Sequence, residues 1–149
     1  MRYVSAATPH DMEIFLSEIA AEFSRVGAQV YIDLYTDESI IDEQARQALQ
    51  QLSEIATRNQ EKPHRWRLIK RHDPLMGVEL DLTRNEHVAY FSRLAHRVIN
   101  TEVWHADRQL FGTIESYVRV WVDLPDEALQ RALAAARTNG ASLTAEPQL

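Results

Sequence analysis

The chain has 149 residues, 45% hydrophobic and 26% charged, with a net charge of −6. It is long enough for one domain with a proper core. Cysteine is absent, which excludes disulfides, thiolate metal sites and thiol catalysis, and the acidic balance is a poor footprint for general nucleic-acid binding, which favours a domain pI above about 9.

Residues 1–7 read as a short lead with an extended piece at Tyr3-Val4. A helix start follows: Thr8 suits the cap, Pro9 the first helical position, and Asp11 and Glu13 the positive end of the helix dipole. Phe15, Ile19, Phe23 and Val26 form its apolar stripe, and Gly27 marks its end. Ala28–Tyr35 alternates as a strand, with Val30, Ile32 and Leu34 on one side and Tyr31, Asp33 and Tyr35 on the other. A long helix is predicted over about 39–59, opened by Ser39 with Asp42 and buried along Ile41, Ala45, Ala48, Leu52 and Ile55. Pro63 ends any helix before it.

Arg65–Leu82 reads as a β-hairpin folded about His72-Asp73-Pro74. Trp66, Leu68, Met76, Val78 and Leu80 supply its apolar side, and a register that sets Arg67 opposite Glu79 and Arg65 opposite Asp81 satisfies hydrophobicity and charge together. Thr83 and Glu86 have capping-box spacing before a helix over about 85–99, which buries Val88, Phe91, Ala95 and Val98 and shows His87, Arg93, His96 and Arg97 outside. Residues 101–113 read as a short strand, with a helical turn from Thr101 through Leu110 as the alternative, and Ile114–Leu124 as a strand with Val118, Val120, Val122 and Leu124 on its apolar side. The last helix opens at Pro125, with Asp123 as its cap, and ends at Gly140.

These elements predict an α+β domain over residues 1–140, in the order α-β-α-β-β-α-β-β-α, followed by a flexible tail over 141–149. The sheet is mostly antiparallel, of four to five strands, with helices mainly on one face. The polar sides of its strands then share a face carrying Tyr31, Asp33, Tyr35, Arg65, Arg67, Glu79, Asp81, Tyr117, Arg119 and Trp121. Tyr, Trp and Arg are enriched at binding hot spots, and carboxylates add complementary pairing, so these ten are the expected binding residues.

No apolar run approaches the ~18 residues that suggest a membrane span. The opening MRYVSAATPHDMEIF lacks the charged-then-apolar order of an export signal, so a cytoplasmic location is expected. Charge is uneven: residues 1–61 carry −7, residues 62–100 carry +4 and residues 101–149 carry −3. Four glycines leave no phosphate-binding loop, and the serines lie in neither GxSxG nor SxxK. Nothing implies a cofactor or resident metal. Asp33, Glu79, Asp81 and Asp123 nonetheless define an alternative, a small metal-dependent phosphodiester hydrolase, provided that they converge. Lys62–His72 interleaves five Lys/Arg with Trp66 and defines another, RNA binding.

The leading expectation is a non-catalytic domain that binds a basic protein partner. In size, charge and lack of catalytic motifs the chain resembles two classes of bacterial cytoplasmic binder, immunity proteins that neutralise a toxin such as a nuclease, and chaperones of secreted effectors. A homodimer through the sheet is also compatible with the sequence.

Overall fold

A computed structural model of the chain describes residues 1–61, 73–114 and 116–147. The described residues form seven strands: β1 (Arg2–Ala6), β2 (Gln29–Asp33), β3 (Val78–Leu80), β4 (Asn100–His105), β5 (Arg108–Thr113), β6 (Arg119–Val122) and β7 (Leu143–Pro147). Four helices accompany them: α1 (Pro9–Arg25), α2 (Glu43–Glu61), α3 (Asn85–Leu94) and α4 (Asp126–Thr138). The strands form one sheet in the order β3-β2-β4-β5-β6-β1-β7, every pair antiparallel. The α+β class and the antiparallel sheet agree with the sequence expectation, whereas the strand number and element order differ from it.

Three differences account for the extra strands. The N-terminal lead is a full strand between β6 and β7, paired on both sides. Residues 100–113 hold two strands in a hairpin turned at Ala106-Asp107, where Ala106 takes a positive φ of 52°. The expected loose tail contains β7, with Leu143 buried and Ala145 packed on the core. Conversely, the strand predicted over 114–124 shrinks to Arg119–Val122.

Helix ends follow side-chain chemistry. Thr8 Oγ1 accepts from the Asp11 N–H at 3.1 Å. At the other end of α1, Gly27 (φ 69°) lets the Ala28 N–H reach the Phe23 carbonyl and its own N–H the Ser24 carbonyl, a Schellman closure. Helix α2 starts later than expected because Asp42 itself caps it, accepting from the Ala45 N–H at 2.8 Å. Ser39–Ile41 therefore stay outside the helix, and Ile41 is 93% exposed rather than part of the stripe. The Thr83/Glu86 capping box does not form either. Asp81 captures both the N–H and the hydroxyl of Thr83, at 3.0 and 2.6 Å. Nor does Asp123 cap α4; it pairs with Arg108 at 2.8 Å and with the N-terminal ammonium at 3.4 Å.

One face of the sheet meets the helices. Val4, Val30, Ile32, Val103, Phe111, Val120 and Val122 are buried there beneath Phe15, Ile19, Phe23, Phe91 and Leu133. Three aromatic rings tie the layers together: Phe111 of β5 lies 5.9 Å from Phe23 and 5.6 Å from Phe91, and those two lie 6.2 Å apart edge to face.

Helices α1 and α4 are joined by a carboxylate that is only 5% exposed: Glu22 accepts from Arg131 at 2.9 Å and from Arg25 at 2.5 Å. The Arg131 hydrogen bond, with the charges of both arginines, outweighs burial and holds the Glu22 carboxyl below its ordinary 4.5. A carboxyl lowered in the folded state adds stability above its unfolded pKa and loses it as pH falls through the folded one. Arg131→Ala is thus expected to lower stability at neutral pH. Denaturant titrations along the acid limb should show a shallower loss of stability below pH 4.5 in the variant than in the parent chain.

Candidate functional site: an open aromatic and acidic sheet face

Outward positions of the strands fall in register, so side chains distant in sequence become neighbours. The pairings Glu79↔Tyr31, Tyr31↔Glu102, Glu102↔Gly112, Gly112↔Trp121, Trp121↔Tyr3 and Tyr3↔Glu146 run one row across all seven strands. Asp33 and Asn100 pair in a parallel row, with Gln29 and Trp104 two positions the other way. Glu79 and Glu146 are exposed, and Tyr3, Tyr31, Asp33, Asn100, Glu102, Trp104 and Trp121 are half-buried. The described helices pack against one another in a layer on the opposite side, so none of them crosses this face.

Several of these groups are held by a neighbour. Both oxygens of Glu102 are engaged, one by Asn100 Nδ2 at 3.2 Å and the other by Trp104 Nε1 at 2.8 Å. The three residues alternate along β4 and so lock each other's rotamers on the face. Asp33 accepts from the Gly77 N–H at 2.7 Å and from Asn100 at 3.3 Å, which pins the strand end to the 73–77 turn. Farther across, the Arg119 guanidinium lies 4.6 Å over the Tyr3 ring and 3.5 Å from Glu146. Gly112 has ordinary extended geometry, and its lack of a side chain serves space instead: a Cβ there would lie 2.4 Å from Trp121 Nε1. The indole therefore lies across bare backbone on its neighbouring strand.

Of the ten expected binding residues, the fold brings Tyr31, Asp33, Glu79, Arg119 and Trp121 together. Arg65 and Arg67, and with them the Arg65/Arg67 register of the hairpin and the basic stretch 62–72, lie outside the described residues. The other three sit elsewhere. Tyr35 stands beyond the end of β2, its hydroxyl donating to Asp73 at 2.5 Å, an interaction that lowers the Asp73 carboxyl and raises the phenol. Asp81 has left β3 and closes the Thr83 turn. Tyr117, 42% exposed, lies in the β5–β6 connection. Sequence reading omitted Tyr3, Asn100, Glu102, Trp104, Gly112 and Glu146. The alternation of residues 100–105 was the available signal for the β4 residues.

The four carboxylates of the hydrolase alternative do not converge. Asp33 faces Gly77 and Asn100, Asp81 faces Thr83, Asp123 faces Arg108, and among the described residues no three His, Asp or Glu side chains form a group able to hold a metal ion. His87, expected outside, uses Nδ1 to accept from the Asp81 N–H at 2.8 Å; burial first, then the charge of Arg84, lowers its pKa.

His96 overturns its expected place more fully. It is 3% exposed, in the turn that follows α3. Burial, with the charge of Arg97 beside it, pulls it down to about 3, so it is neutral at physiological pH. Neither ring nitrogen has a hydrogen-bond partner among the described residues. Leaving such a group unsatisfied costs about 1–3 kcal/mol.

No helix of the described residues is long and apolar enough to cross a membrane. The chain matches no family model, and comparison with curated proteins and with solved structures returns no significant match.

Proposed function

We propose that this is a non-catalytic, cytoplasmic protein-binding domain whose open sheet face docks a basic partner. The observation that carries the reading is the row Glu79, Tyr31, Glu102, Trp121, Tyr3, Glu146, in which aromatic rings and carboxylates share one face outside the helix layer. Tyr and Trp bring large contact area at low conformational cost. Carboxylates steer a cationic partner and fix its register more than they add raw affinity. Asp123 and Glu146 already have arginine partners, while Asp33, Glu79 and Glu102 have none among the described residues, so the β3-β2-β4 side is the acidic end. An inhibitor of the immunity type, neutralising a basic toxin such as a nuclease, is the concrete form.

Size constrains the complex. Six strand spacings of ~4.8 Å span roughly 29 Å, and four to five residues at ~3.3 Å span about 13–16 Å. That is a projected area on the order of 400 Å², against about 800 Å² per partner in a standard interface. A stable partner must therefore reach past the sheet face.

Charge reversal tests the reading. Glu79→Arg with Glu102→Arg is expected to leave the fold intact, since neither residue enters the core, and to weaken capture of the partner at least about tenfold. Unchanged capture by the double variant would remove the acidic end of the face from the interface.

A further inference from the structure

At the strand ends nearest Asp33 and Asn100 the surface opens into a cleft in two parts. One part, about 480 Å³, is bounded by Asp37, Glu38, His96, Asn100, Ser116 and Tyr117. The other, about 450 Å³, is bounded by Pro9, His10, Ile40, Ile41 and Asp42 and shares Glu38, Arg97 and Tyr117 with the first. Asn100 belongs both to the cleft and to the sheet face, so a partner overrunning the face arrives there.

Three features define what fits. The walls carry exposed apolar surface: Ile41 is 93%, Ile99 44% and Tyr117 42% exposed, and all three line the cleft. The charges are lopsided. Arg97 is taken by Glu13 and by the Arg93 carbonyl, and His10 also faces Glu13, whereas Asp37, Glu38 and Asp42 have no cationic partner among the described residues. Within the lining of the larger part, His96 keeps both ring nitrogens buried and unpartnered, and a neutral imidazole keeps a lone pair for an N–H that displaces the side chains over it. A metal ion would need three ligating side chains, which the described residues do not assemble. An anion would meet the carboxylates.

We infer that the cleft receives a lysine or arginine side chain from the docked partner, its stem against Tyr117 and Ile99 and its N–H groups donating to His96, Asp37 and Glu38. The inference rests on the docking reading and deepens it: the row on the face supplies area, and the cleft supplies an anchor that selects a basic residue flanked by apolar ones. Arg97 does not compete for the acidic wall because Glu13 holds it.

The test follows backbone amide NMR shifts of the intact chain on addition of a capped Leu-Arg-Leu peptide, the same peptide with neutral citrulline in place of arginine, and arginine amide alone. The expected result is saturable shifts at Ile99, Asn100 and Thr113 with the arginine peptide, at least about tenfold weaker binding of the citrulline peptide, and weaker binding still of arginine amide, which lacks the apolar flanks. Asp37→Asn with Glu38→Gln should weaken binding by a similar factor. His96→Leu should abolish it while raising the melting temperature, because an unpartnered polar group leaves the core. If that variant does not fold, His96→Asn serves in its place, with the same loss expected. Equal binding of arginine and citrulline peptides, no saturable shifts, or full binding by the His96 variant would overturn the inference. Arginine amide binding as tightly as the peptide would overturn it too, by making the cleft a small-molecule site. The peptide reports on the cleft, and Glu79→Arg alone, at a residue that lines neither part of the cleft, reports on the sheet, so the two readings fail separately.

Discussion

Phe111→Ala is expected to lower stability by about 3–5 kcal/mol. Phe111 is fully buried in β5, the middle strand of the sheet, and its ring touches both Phe23 of α1 and Phe91 of α3. Truncation removes the transfer free energy of the ring and leaves a cavity between layers that the rigid sheet cannot close. For a chain of this length that corresponds to a fall in melting temperature of roughly 10–15 °C. Calorimetry or denaturant unfolding checks it, with the denaturant slope unchanged if the folded state stays compact. A loss below about 1.5 kcal/mol would mean that the three rings do not hold the helix layer to the sheet.

Gly112→Val should produce the largest effect of any change on the open face. The new Cβ would meet the Trp121 indole at 2.4–2.6 Å, inside van der Waals contact, so the ring must swing off the strand. Forced displacement of this kind costs about 1–3 kcal/mol. It also moves the central aromatic of the row, so partner binding should fall with stability even though residue 112 carries no contact of its own. Tryptophan emission and thermal melts report the two parts. Wild-type stability with unshifted emission would show that the indole does not need bare backbone beneath it.

Much of the fold was legible in the sequence because it rests on local rules. The Thr8 cap, the Phe15/Ile19/Phe23 stripe, the closure at Gly27 and the alternation of Val30 and Ile32 are short-range signals, and each appears as read. What escaped depends on long-range pairing. Arg2–Ala6 becomes a strand because it fits between β6 and β7, and Leu143–Pro147 because it pairs with Arg2–Ala6 at the edge of the sheet. Local competition explains other differences. Asp42 and Asp81 satisfied backbone and hydroxyl donors that were expected to bond elsewhere, which moved the start of α2 and abolished the capping box.

The same division holds for the candidate site. Tyr31, Asp33 and Trp121 were found from alternation, which fixes the face of a residue within its own strand. Tyr3, Glu102 and Gly112 were missed because only strand order and register place them beside those three. Asp81 and Tyr117 were misplaced for the opposite reason, since alternation was extended past the strand ends. His96 is expected outside from its polarity, yet it lies buried in the turn that follows α3, one helical turn beyond the buried Ser92.

Photo-crosslinking from the sheet face in the source cell shows whether that face meets a basic protein. A photoreactive phenylalanine derivative replaces Tyr31 in the row, and in a control it replaces Gln51, exposed on α2 away from the sheet. The predicted result is one protein adduct from position 31, carrying a basic surface, absent from position 51 and lost when Glu79→Arg and Glu102→Arg are added. An adduct with nucleic acid, an adduct of twice the chain's own mass, equal crosslinking from both positions, or none at all would contradict it.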